Sequence, residues 1–415
     1  FATAGNGYYE QYKADQKYSS YGLKNPIVNG IAITKTDLIR QLWLDNLYYG
    51  TNFSFQMKDE NREIILGGGN SQYDGNHFGK IIWAQAGIFK DHRWYDLDAQ
   101  KSEQHVIGKW MEKLGSFHLF GDLQLRNVNY AIEGFRNNPT LSIDKHWLFV
   151  NPKAGLRYTS GEYSSFISYA LANKEPNRDD FEAGTTDIPK HETLHDVEAG
   201  IERTGSKLKM AATVYHMRYN NQLVLTGKIN DVGAYTRTNI PLSYRTGLEI
   251  EATLSISDRL HINNNLALSS NKVKNHREFY DDYDAGDQKV DFFSTSNIAF
   301  SPAVVDNATI SYTLLKDLET RLISKYVSRQ YLDNTSRKDR SLAPYFTQDL
   351  MVNYSLHPKR MKSIELIFQL NNIWNKWYAP NGYTYTYKYG GELVRNNFYY
   401  PMAERNLMIG LNLNF

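Results

Sequence analysis

The last ten residues, Asn406–Phe415, read "NLMIGLNLNF" and indicate an all-β fold. Every second residue is apolar: Leu407, Ile409, Leu411, Leu413 and Phe415. Successive side chains of a β-strand point to opposite faces, so this alternation predicts a strand with one apolar and one polar face. A soluble β-sandwich and a membrane β-barrel both use such strands, and this stretch alone leaves both open.

The alternation recurs in residues 246–271, "TGLEIEATLSISDRLHINNNLALSSN". Leu248, Ile250 and Leu254 share one face, Glu249 and Glu251 occupy the other, and a polar turn at residues 257–258 joins two such stretches into a predicted hairpin. Carboxylates are costly to bury in the dry core of a sandwich. The hairpin therefore favours a barrel whose polar face meets water or another polar surface.

Short and long connections alternate along the chain. The short turns are predicted at residues 59–62, 115–116, 160–162, 205–206, 257–258, 316–317 and 358–362. The long loops are predicted at residues 74–103, 174–193, 226–243, 272–291, 329–344 and 375–401. This pattern is typical of outer-membrane barrels, and it predicts an all-β, antiparallel transmembrane β-barrel with short periplasmic turns and long extracellular loops.

About fifteen full strands are predicted, with a partial strand before Tyr12. Residues 34–58 and 295–315 each predict one strand of ~20 residues or more, against the ~10 that cross a bilayer. We expect both strands to project above the membrane, with Pro302 breaking the ladder of the second. Tandem soluble sandwiches are the alternative, but no linker or composition shift separates such units.

Composition excludes several classes of protein. Of the 415 residues, 31 are Tyr and 19 are Phe, and these residue types favour pleated surfaces and membrane interfaces. The net charge of +2 gives no electrostatic case for nucleic acid, and the absence of Cys removes disulfides and thiolate chemistry. No catalytic motif is recognisable, so we expect no enzyme activity, no cofactor and no metal site.

The end of the chain resembles the last two strands of TonB-dependent outer-membrane receptors. The residues concerned are "SIELIFQLNNIWNKWYAPNGYTYTY" from Ser363 and "YYPMAERNLMIGLNLNF" from Tyr399, with "SKYVSRQYLDNT" from Ser324 and "ALANKEPNRDDF" from Ala170 upstream. Asn372-Ile373-Trp374-Asn375 stands where the family has an Asn-Leu-Phe-Asn-like element, and Phe415 stands at its terminal aromatic position. The resemblance implies that Phe415 is a signal to the barrel-assembly machinery.

The resemblance also implies the location, the partners and the activity. The implied location is the outer membrane of a Gram-negative cell. The implied partners are the lipid of that membrane and a TonB complex that acts through a plug domain. The implied activity is the active import of a scarce bulky ligand, most often an iron-siderophore. A surface lipoprotein is a further partner to consider. A passive porin-like channel of ~16 strands and a surface-binding adhesin barrel remain as alternatives.

Large outer-membrane transporters close at 22 strands around a plug, about six more than the strands predicted here. We therefore expect residues 1–415 to be the carboxy-terminal portion of a 22-stranded barrel, with the plug domain and the first strands outside this chain.

Two sets of residues are candidates for function. Tyrosine offers rigid amphipathic contact area, and Arg and Lys attract anions. The predicted ligand-binding residues of the extracellular loops are Arg178, Tyr235, Arg237, Tyr378, Tyr383, Tyr385, Tyr387, Lys388 and Arg395. The predicted lumen-facing residues, which would contact a plug, are Glu249, Glu251, Arg321, Lys325, Glu365 and Gln369.

Overall fold

The computed structural model describes residues 1–88, 92–136, 138–183, 188–229 and 235–415. The strands are β1 Ala2–Lys17, β2 Ile27–Val28, β3 Ile31–Ala32, β4 Lys35–Lys58, β5 Arg62–Ala84, β6 His92–Leu114, β7 Phe117–Phe135, β8 Asn138–Ser160, β9 Tyr163–Lys174, β10 Glu192–Thr204, β11 Leu208–Ile229, β12 Tyr235–Ser257, β13 Leu260–Asp282, β14 Asp287–Asn297, β15 Val304–Leu315, β16 Leu318–Val327, β17 Gln330–Tyr331, β18 Ser341–Leu342, β19 Tyr345–Leu356, β20 Ser363–Asn371, β21 Asn381–Tyr389, β22 Glu392–Tyr400 and β23 Asn406–Asn414. A 3-10 helix, Tyr18–Tyr21, and one short α-helix, α1 Arg178–Ala183, complete the described elements. Within these residues, no helix has both the length and the apolar character needed to cross a membrane.

The prediction of an all-β antiparallel fold is confirmed. Nineteen of the described strands belong to one sheet. Taking β14 and β15 as one interrupted strand and setting the β21–β22 hairpin aside leaves sixteen, which matches the predicted fifteen strands and a partial first one. The chain divides into two compact units, which we describe separately.

The first unit comprises Phe1–Trp110, Asp122–Asn151 and Asn177–Ile188. Here β4 pairs with β1 on one side and with β5 on the other, both antiparallel. The predicted overlong strand at residues 34–58 is confirmed, because β4 runs for 24 residues. One buried cluster of this unit joins α1 to the strands through Phe181; its members are Ala99, Tyr130, Ile132, Phe135, Ile143 and Phe181.

The second unit comprises Met111–Gly121, Pro152–Pro176 and Pro189–Phe415. Its antiparallel pairings run in the order β8, β9, β10, β11, β12, β13, β15, β16, β19, β20 and β23. The closing strand β23 pairs with β20 over Ser363–Asn371, so the predicted partner of the final strand is confirmed.

The short turns of the second unit lie at one end of its strands, as predicted. Backbone hydrogen bonds link each turn to the next strand: Ser255 to Lys207, Thr313 to Arg259, Ser355 to Asp317 and Lys362 to Asn414, at 2.8–2.9 Å. Tyr383 lies towards the opposite end, because β21 pairs with β13 at Asp281 and Asp282. About ten residues of a tilted strand cross a bilayer, so groups farther than that from a short turn lie outside the membrane.

Residues 295–315 do not form the single strand that the sequence predicts. β14 ends at Asn297 and β15 begins at Val304, and the two pair with different halves of β13. Between them Phe300 adopts a positive φ of 51°, and its N–H donates to the Tyr331 carbonyl at 2.9 Å. The segment leaves the ladder because Pro302 has no N–H to donate and because residues 329–344 provide other partners.

Four of the predicted loops are also wrong in extent. The described residues of 74–103, 226–243, 272–291 and 375–401 mostly continue as strands, while residues 89–91 and 230–234 lie outside the described part of the chain. The sequence does not show these strand extensions by alternation, because both of their faces carry polar or aromatic residues. Apart from α1, the ends of β9 and β10, and the two-residue strands β17 and β18, the described residues of the predicted loops 174–193 and 329–344 lie outside helices and strands, which confirms the loops there; residues 184–187 lie outside the described residues.

Candidate functional site

The tyrosine-rich hairpin β21–β22 has two different faces. Tyr383 stacks on Phe398 with ring centroids 4.7 Å apart, and Tyr385 and Tyr400 lie 5.6 and 5.8 Å from Tyr383. At the tip, Tyr387 packs edge-on against Tyr283 at 5.8 Å. Tyr383, Tyr385 and Tyr387 share this face because they alternate along β21. The structure thus brings three predicted ligand-binding tyrosines together in one aromatic row.

The opposite face of the hairpin docks against neighbouring segments. Lys388 forms an ion pair of 3.0 Å with Asp282, which is 1% exposed. Arg395 pairs with Asp339 at 3.4 Å. The Asp284 carboxylate accepts hydrogen bonds from the backbone N–H groups of residues 390 and 391, at 2.7 and 2.8 Å. The two predicted cations of the hairpin are therefore already paired with carboxylates and point away from the aromatic row.

Arg340 lies at the centre of this docking and is 1% exposed. Its guanidinium makes a bidentate pair with Glu278 of β13, with one contact at 2.8 Å. The same group pairs with Asp333 at 2.7 Å and donates to the Thr386 hydroxyl of β21 at 2.8 Å. One buried side chain therefore links the β13–β14 hairpin, residues 329–344 and the β21–β22 hairpin.

The pKa values of this network follow from burial and from Arg340. Burial raises the pKa of Glu278, but the hydrogen bonds and charge of Arg340 outweigh it and hold that pKa below its ordinary value. Burial raises the pKa of Asp333, against the opposing charge of Arg340. Burial opposes the charge on Arg340, yet the two carboxylates keep its pKa raised.

Apolar packing supports the same segment. Leu332, Leu342 and Ala379 form a buried cluster with Phe300 against it. The Asn334 amide accepts from the Ala299 N–H at 2.9 Å and donates to the Leu225 carbonyl at 2.7 Å. Residues 329–344, which the sequence predicts as an open loop, thus form a packed support beneath the β21–β22 hairpin.

His276 adds a titratable group to this support. The His276 side chain is buried, and the centroid of its ring lies 6.0 Å from that of the Phe293 ring. Its Nδ1 atom has no hydrogen-bond partner among the described residues. Burial lowers the pKa of His276 from 6.5 to about 4, with Glu278 opposing and Arg340 reinforcing that shift. The imidazole is therefore neutral in the docked state at neutral pH.

We expect docking of the two hairpins to weaken as the pH falls. Between pH 6.5 and 4 the undocked His276 binds more protons than the docked one, so lowering the pH from 7 to 5 disfavours docking by about 2 kcal/mol. Amide hydrogen exchange of β14 and β21 measured at both pH values tests this. The His276→Gln variant should lose most of the dependence; an unchanged slope would show that another group titrates.

The other predicted ligand-binding residues are dispersed. Tyr378 stacks on Tyr345 with centroids 4.5 Å apart. Arg237 lies opposite Leu225 in the β11–β12 ladder, and the side chain of Tyr235 lies outside the described residues. Arg178 begins α1 in the first unit, where its guanidinium lies 4.8 Å from the Phe135 ring. A ligand-binding role for each of these residues stays a prediction.

The predicted lumen-facing residues share one face of the second unit. Register and alternation place Glu249, Glu251, Arg321, Lys325, Glu365 and Gln369 opposite the face that carries Leu248, Ile250, Leu322, Leu366 and Phe368. Arg321 pairs with Glu319 through two contacts of 2.9 Å, and Asn412 donates to Glu365 at 3.3 Å. Contact of these residues with a plug stays a prediction. So does an assembly role for Phe415, which is 79% exposed.

A cavity of about 280 Å³ opens on this polar face beside the β14–β15 interruption. Tyr215, Glu249 and Arg245 line it, and Arg245 donates to Ser301 at 3.0 Å. Among the described residues, no three His, Asp or Glu side chains are grouped as metal ligands would be. No local motif marks Arg340, Glu278 and His276 in the sequence, because their side chains meet only through the fold.

Comparisons with known proteins agree with this architecture. A family model described as "TonB dependent receptor-like, beta-barrel" matches residues 2–373. No curated protein matches the chain.

Solved structures of the same fold include three transporters or receptors. The copper transporter OprC has a TM-score of 0.69 at 14% identity, covering 100% of this chain and 62% of that one. The ferric yersiniabactin uptake receptor FyuA from Yersinia pestis has a TM-score of 0.63 at 12% identity, and the unliganded ferric citrate transporter FecA has 0.63 at 14%. Both matches cover 92% of this chain and 56% of the other.

Proposed function

The chain belongs to the TonB-dependent receptors of the Gram-negative outer membrane, and we propose that it acts in the active import of a scarce, bulky ligand, specifically an iron-siderophore. The observation that carries the proposal is the family match over residues 2–373, together with the antiparallel sheet. The chain spans 56–62% of the three solved chains named above. In this proposal a plug domain outside these 415 residues contacts TonB.

An iron-siderophore is the favoured cargo for two reasons. Two of the matched structures are described as acting on ferric complexes, the ferric yersiniabactin and ferric citrate proteins. The aromatic row of Tyr383, Tyr385 and Phe398 offers ring faces and phenolic oxygens to a large ligand that combines apolar and polar surface. The copper transporter among the matches makes a metal cargo the alternative to test.

The aromatic row acts in capture, before any energy-dependent step. The paired carboxylates and cations behind it hold the β21–β22 hairpin in one position, so that its rings are ordered before the ligand arrives. Preorganised contacts lose less conformational entropy on binding. Importing the ligand then depends on TonB and the proton-motive force rather than on chemistry in this chain.

We expect cells that produce the protein to accumulate ⁵⁵Fe from a siderophore only when TonB is present and the proton-motive force is intact. Ferric citrate, a ferric catecholate, a ferric hydroxamate and a copper salt form the probe panel. Replacing Tyr383 and Phe398 by Ala should lower affinity about tenfold, since each aromatic contact contributes ~0.5–1.5 kcal/mol. Tyr389→Ala, at the exposed hairpin tip, is the matched control.

Each alternative function gives a different result in this assay. A passive porin would admit small solutes without TonB and after addition of a protonophore. An adhesin barrel would bind at the surface and accumulate none of the four probes. Either outcome would overturn the import proposal.

A further inference from the structure

The outward face of strands β9–β13 changes in character from the bilayer towards the extracellular end. Each outward-facing residue lies opposite outward-facing residues of the neighbouring strands, so the pairing register defines rows across this face. One row at membrane level is wholly apolar; its members are Ile167, Ala199, Val214, Leu248 and Leu268. Four residues further along each strand, the corresponding row consists of Leu171, His195, Arg218, Tyr244 and Lys272.

The row that contains Arg218 lies at the outer edge of the membrane. Strand β11 begins at Leu208 after a short turn, so the ~10 residues that cross a bilayer end near Arg218. Tyr244 belongs to the same row, and Tyr169 lies one row closer to the bilayer. Tyrosine is enriched where the membrane meets water. A positive charge in this row therefore meets the head groups of the outer leaflet rather than its hydrocarbon.

Arg218, Lys272 and Lys274 form a cluster of cations at this edge, which we call the rim patch. Lys274 lies one row above Lys272 on the same face of β13. The Lys272 Nζ atom donates to the Asn297 side-chain oxygen at 2.6 Å, and the Lys274 Nζ atom donates to the Thr295 hydroxyl at 2.8 Å. Both acceptors are neutral, so they hold the ammonium groups in position without cancelling their charge.

The charge of the rim patch is not compensated within the described part of the chain. None of its three cations forms an ion pair with an Asp or Glu among the described residues, whereas both predicted cations of the β21–β22 hairpin do. The neighbouring outward positions also carry no carboxylate; they are Thr193, His195, Val197, His216, Asn220, Leu242, Thr246 and Ser270. An anion can therefore approach the rim patch without displacing an internal partner.

The rim patch is the last part of these strands in which the alternation is regular. Asn221 in β11 and Asn275 in β13 have positive φ values of 53° and 54°. A residue in this conformation interrupts the alternation of a strand. His276, directly after the second asparagine, is accordingly buried in the support of the β21–β22 hairpin. The three cations are thus fixed on the regular, membrane-spanning part of the sheet.

We propose that the rim patch binds the phosphate groups of a phosphorylated lipid in the outer leaflet. The planar guanidinium of Arg218 matches two phosphate oxygens, and the two ammonium groups add point charges beside it. Clusters of Lys and Arg at a membrane surface attract anionic lipid head groups. The apolar row that contains Val214 and Leu248 contacts the acyl chains of the same lipid. This inference requires only the outer-membrane location, and it does not depend on which ligand is imported or on transport.

Binding of a labelled lipid to the purified protein tests the rim patch directly. The probe is fluorescent diphosphoryl lipid A, titrated into the protein in dodecyl maltoside micelles at fixed ionic strength. The triple variant Arg218→Gln, Lys272→Gln, Lys274→Gln should bind about a hundredfold more weakly, at about fivefold for each basic residue removed. Exchanging the cations instead, as Arg218→Lys, Lys272→Arg and Lys274→Arg, keeps the charge and should retain most of the affinity.

The matched control removes the same charge from the same strands at their other end. Lys207, Lys209 and Arg259 are exposed at or beside the short turns next to β11, β12 and β13. Replacing these three residues by Gln should leave the affinity for the lipid unchanged. The gel-mobility shift of folded barrels checks that each variant is folded. If the triple rim variant does not fold, Arg218→Gln alone should still bind about fivefold more weakly.

Two further probes identify the source of the phosphate. Dephosphorylated lipid A should bind the wild type and the triple rim variant equally weakly, and millimolar inorganic phosphate should not displace the labelled lipid. Equal affinity for the two lipids, full displacement by inorganic phosphate, or equal losses in the rim and control variants would each contradict the proposal. Loss of iron accumulation with normal lipid binding would instead count against the import function alone.

Discussion

Replacing Arg340 by Met is expected to undock the β21–β22 hairpin from β13, with a loss of about 3–5 kcal/mol in the stability of the docked state. The substitution leaves Glu278 and Asp333 buried without their cation and removes the donor to Thr386. Amide hydrogen exchange in outer-membrane vesicles should show faster exchange in β21 and β22. Exchange in β9 and β10 should be unchanged.

Two further variants separate a buried charge from general packing. Arg395→Met breaks the pair with Asp339, whose side chain is 53% exposed, and should cost less than ~1 kcal/mol. Combining Arg340→Met with Glu278→Gln and Asp333→Asn removes the stranded charges and should restore much of the protection. If Arg340→Met behaved like Arg395→Met, the network would have no special role in docking.

Placing a charge on the apolar face of the last strands is expected to have the second-largest effect. Phe368→Arg should destabilise the folded protein in lipid by ~2–4 kcal/mol, because Phe368 lies in register with Val352 and Ile409 on the face assigned to lipid. Urea unfolding in lipid vesicles, followed by the gel-mobility shift of folded barrels, measures the difference.

The neighbouring residue is the matched control. Gln369 lies in register with Met351 and Met408 on the opposite face, so Gln369→Arg should change stability by less than ~1 kcal/mol. The two variants differ by one position along β20 and by the face that carries the new charge. A larger loss for Gln369→Arg would reverse the assignment of the two faces.

These predictions concern different levels of the structure. Comparing Phe368→Arg with Gln369→Arg tests which face of β20 meets lipid, a property set by alternation along the strand. The Arg340 comparison tests contacts between segments far apart in the chain. If docking holds the aromatic row in position, Arg340→Met should also weaken ligand binding while leaving the membrane-spanning strands intact.

The sequence by itself determined the strands, their faces and most of their order. Alternation in Asn406–Phe415 and in residues 246–271 is a local property, and β12, β13 and β23 form where it occurs. Short turns bring consecutive strands together, so antiparallel pairing between sequence neighbours follows directly. The family resemblance is also carried by consecutive residues, and the match over residues 2–373 confirms it.

Only the tertiary structure decided the arrangement of the outer segments. The sequence predicts loops at residues 272–291 and 375–401, yet both form hairpins that meet through the parallel pairing of β13 with β21. Lys388 and Arg395 read in the sequence as cations that could meet a ligand, and the fold pairs them with Asp282 and Asp339. Arg178 belongs to the same predicted set, and the fold places its guanidinium over the Phe135 ring of the first unit.

The physical reason lies in the range of the interactions. Side-chain alternation is set by neighbouring residues, so it can be recognised in a short stretch. Whether a charge is paired depends on which group arrives beside it, and the partners of Arg340 include Glu278 and Thr386 from two other hairpins. The contribution of each ion pair to stability depends on how deeply it is buried. Burial in turn depends on how several segments pack together.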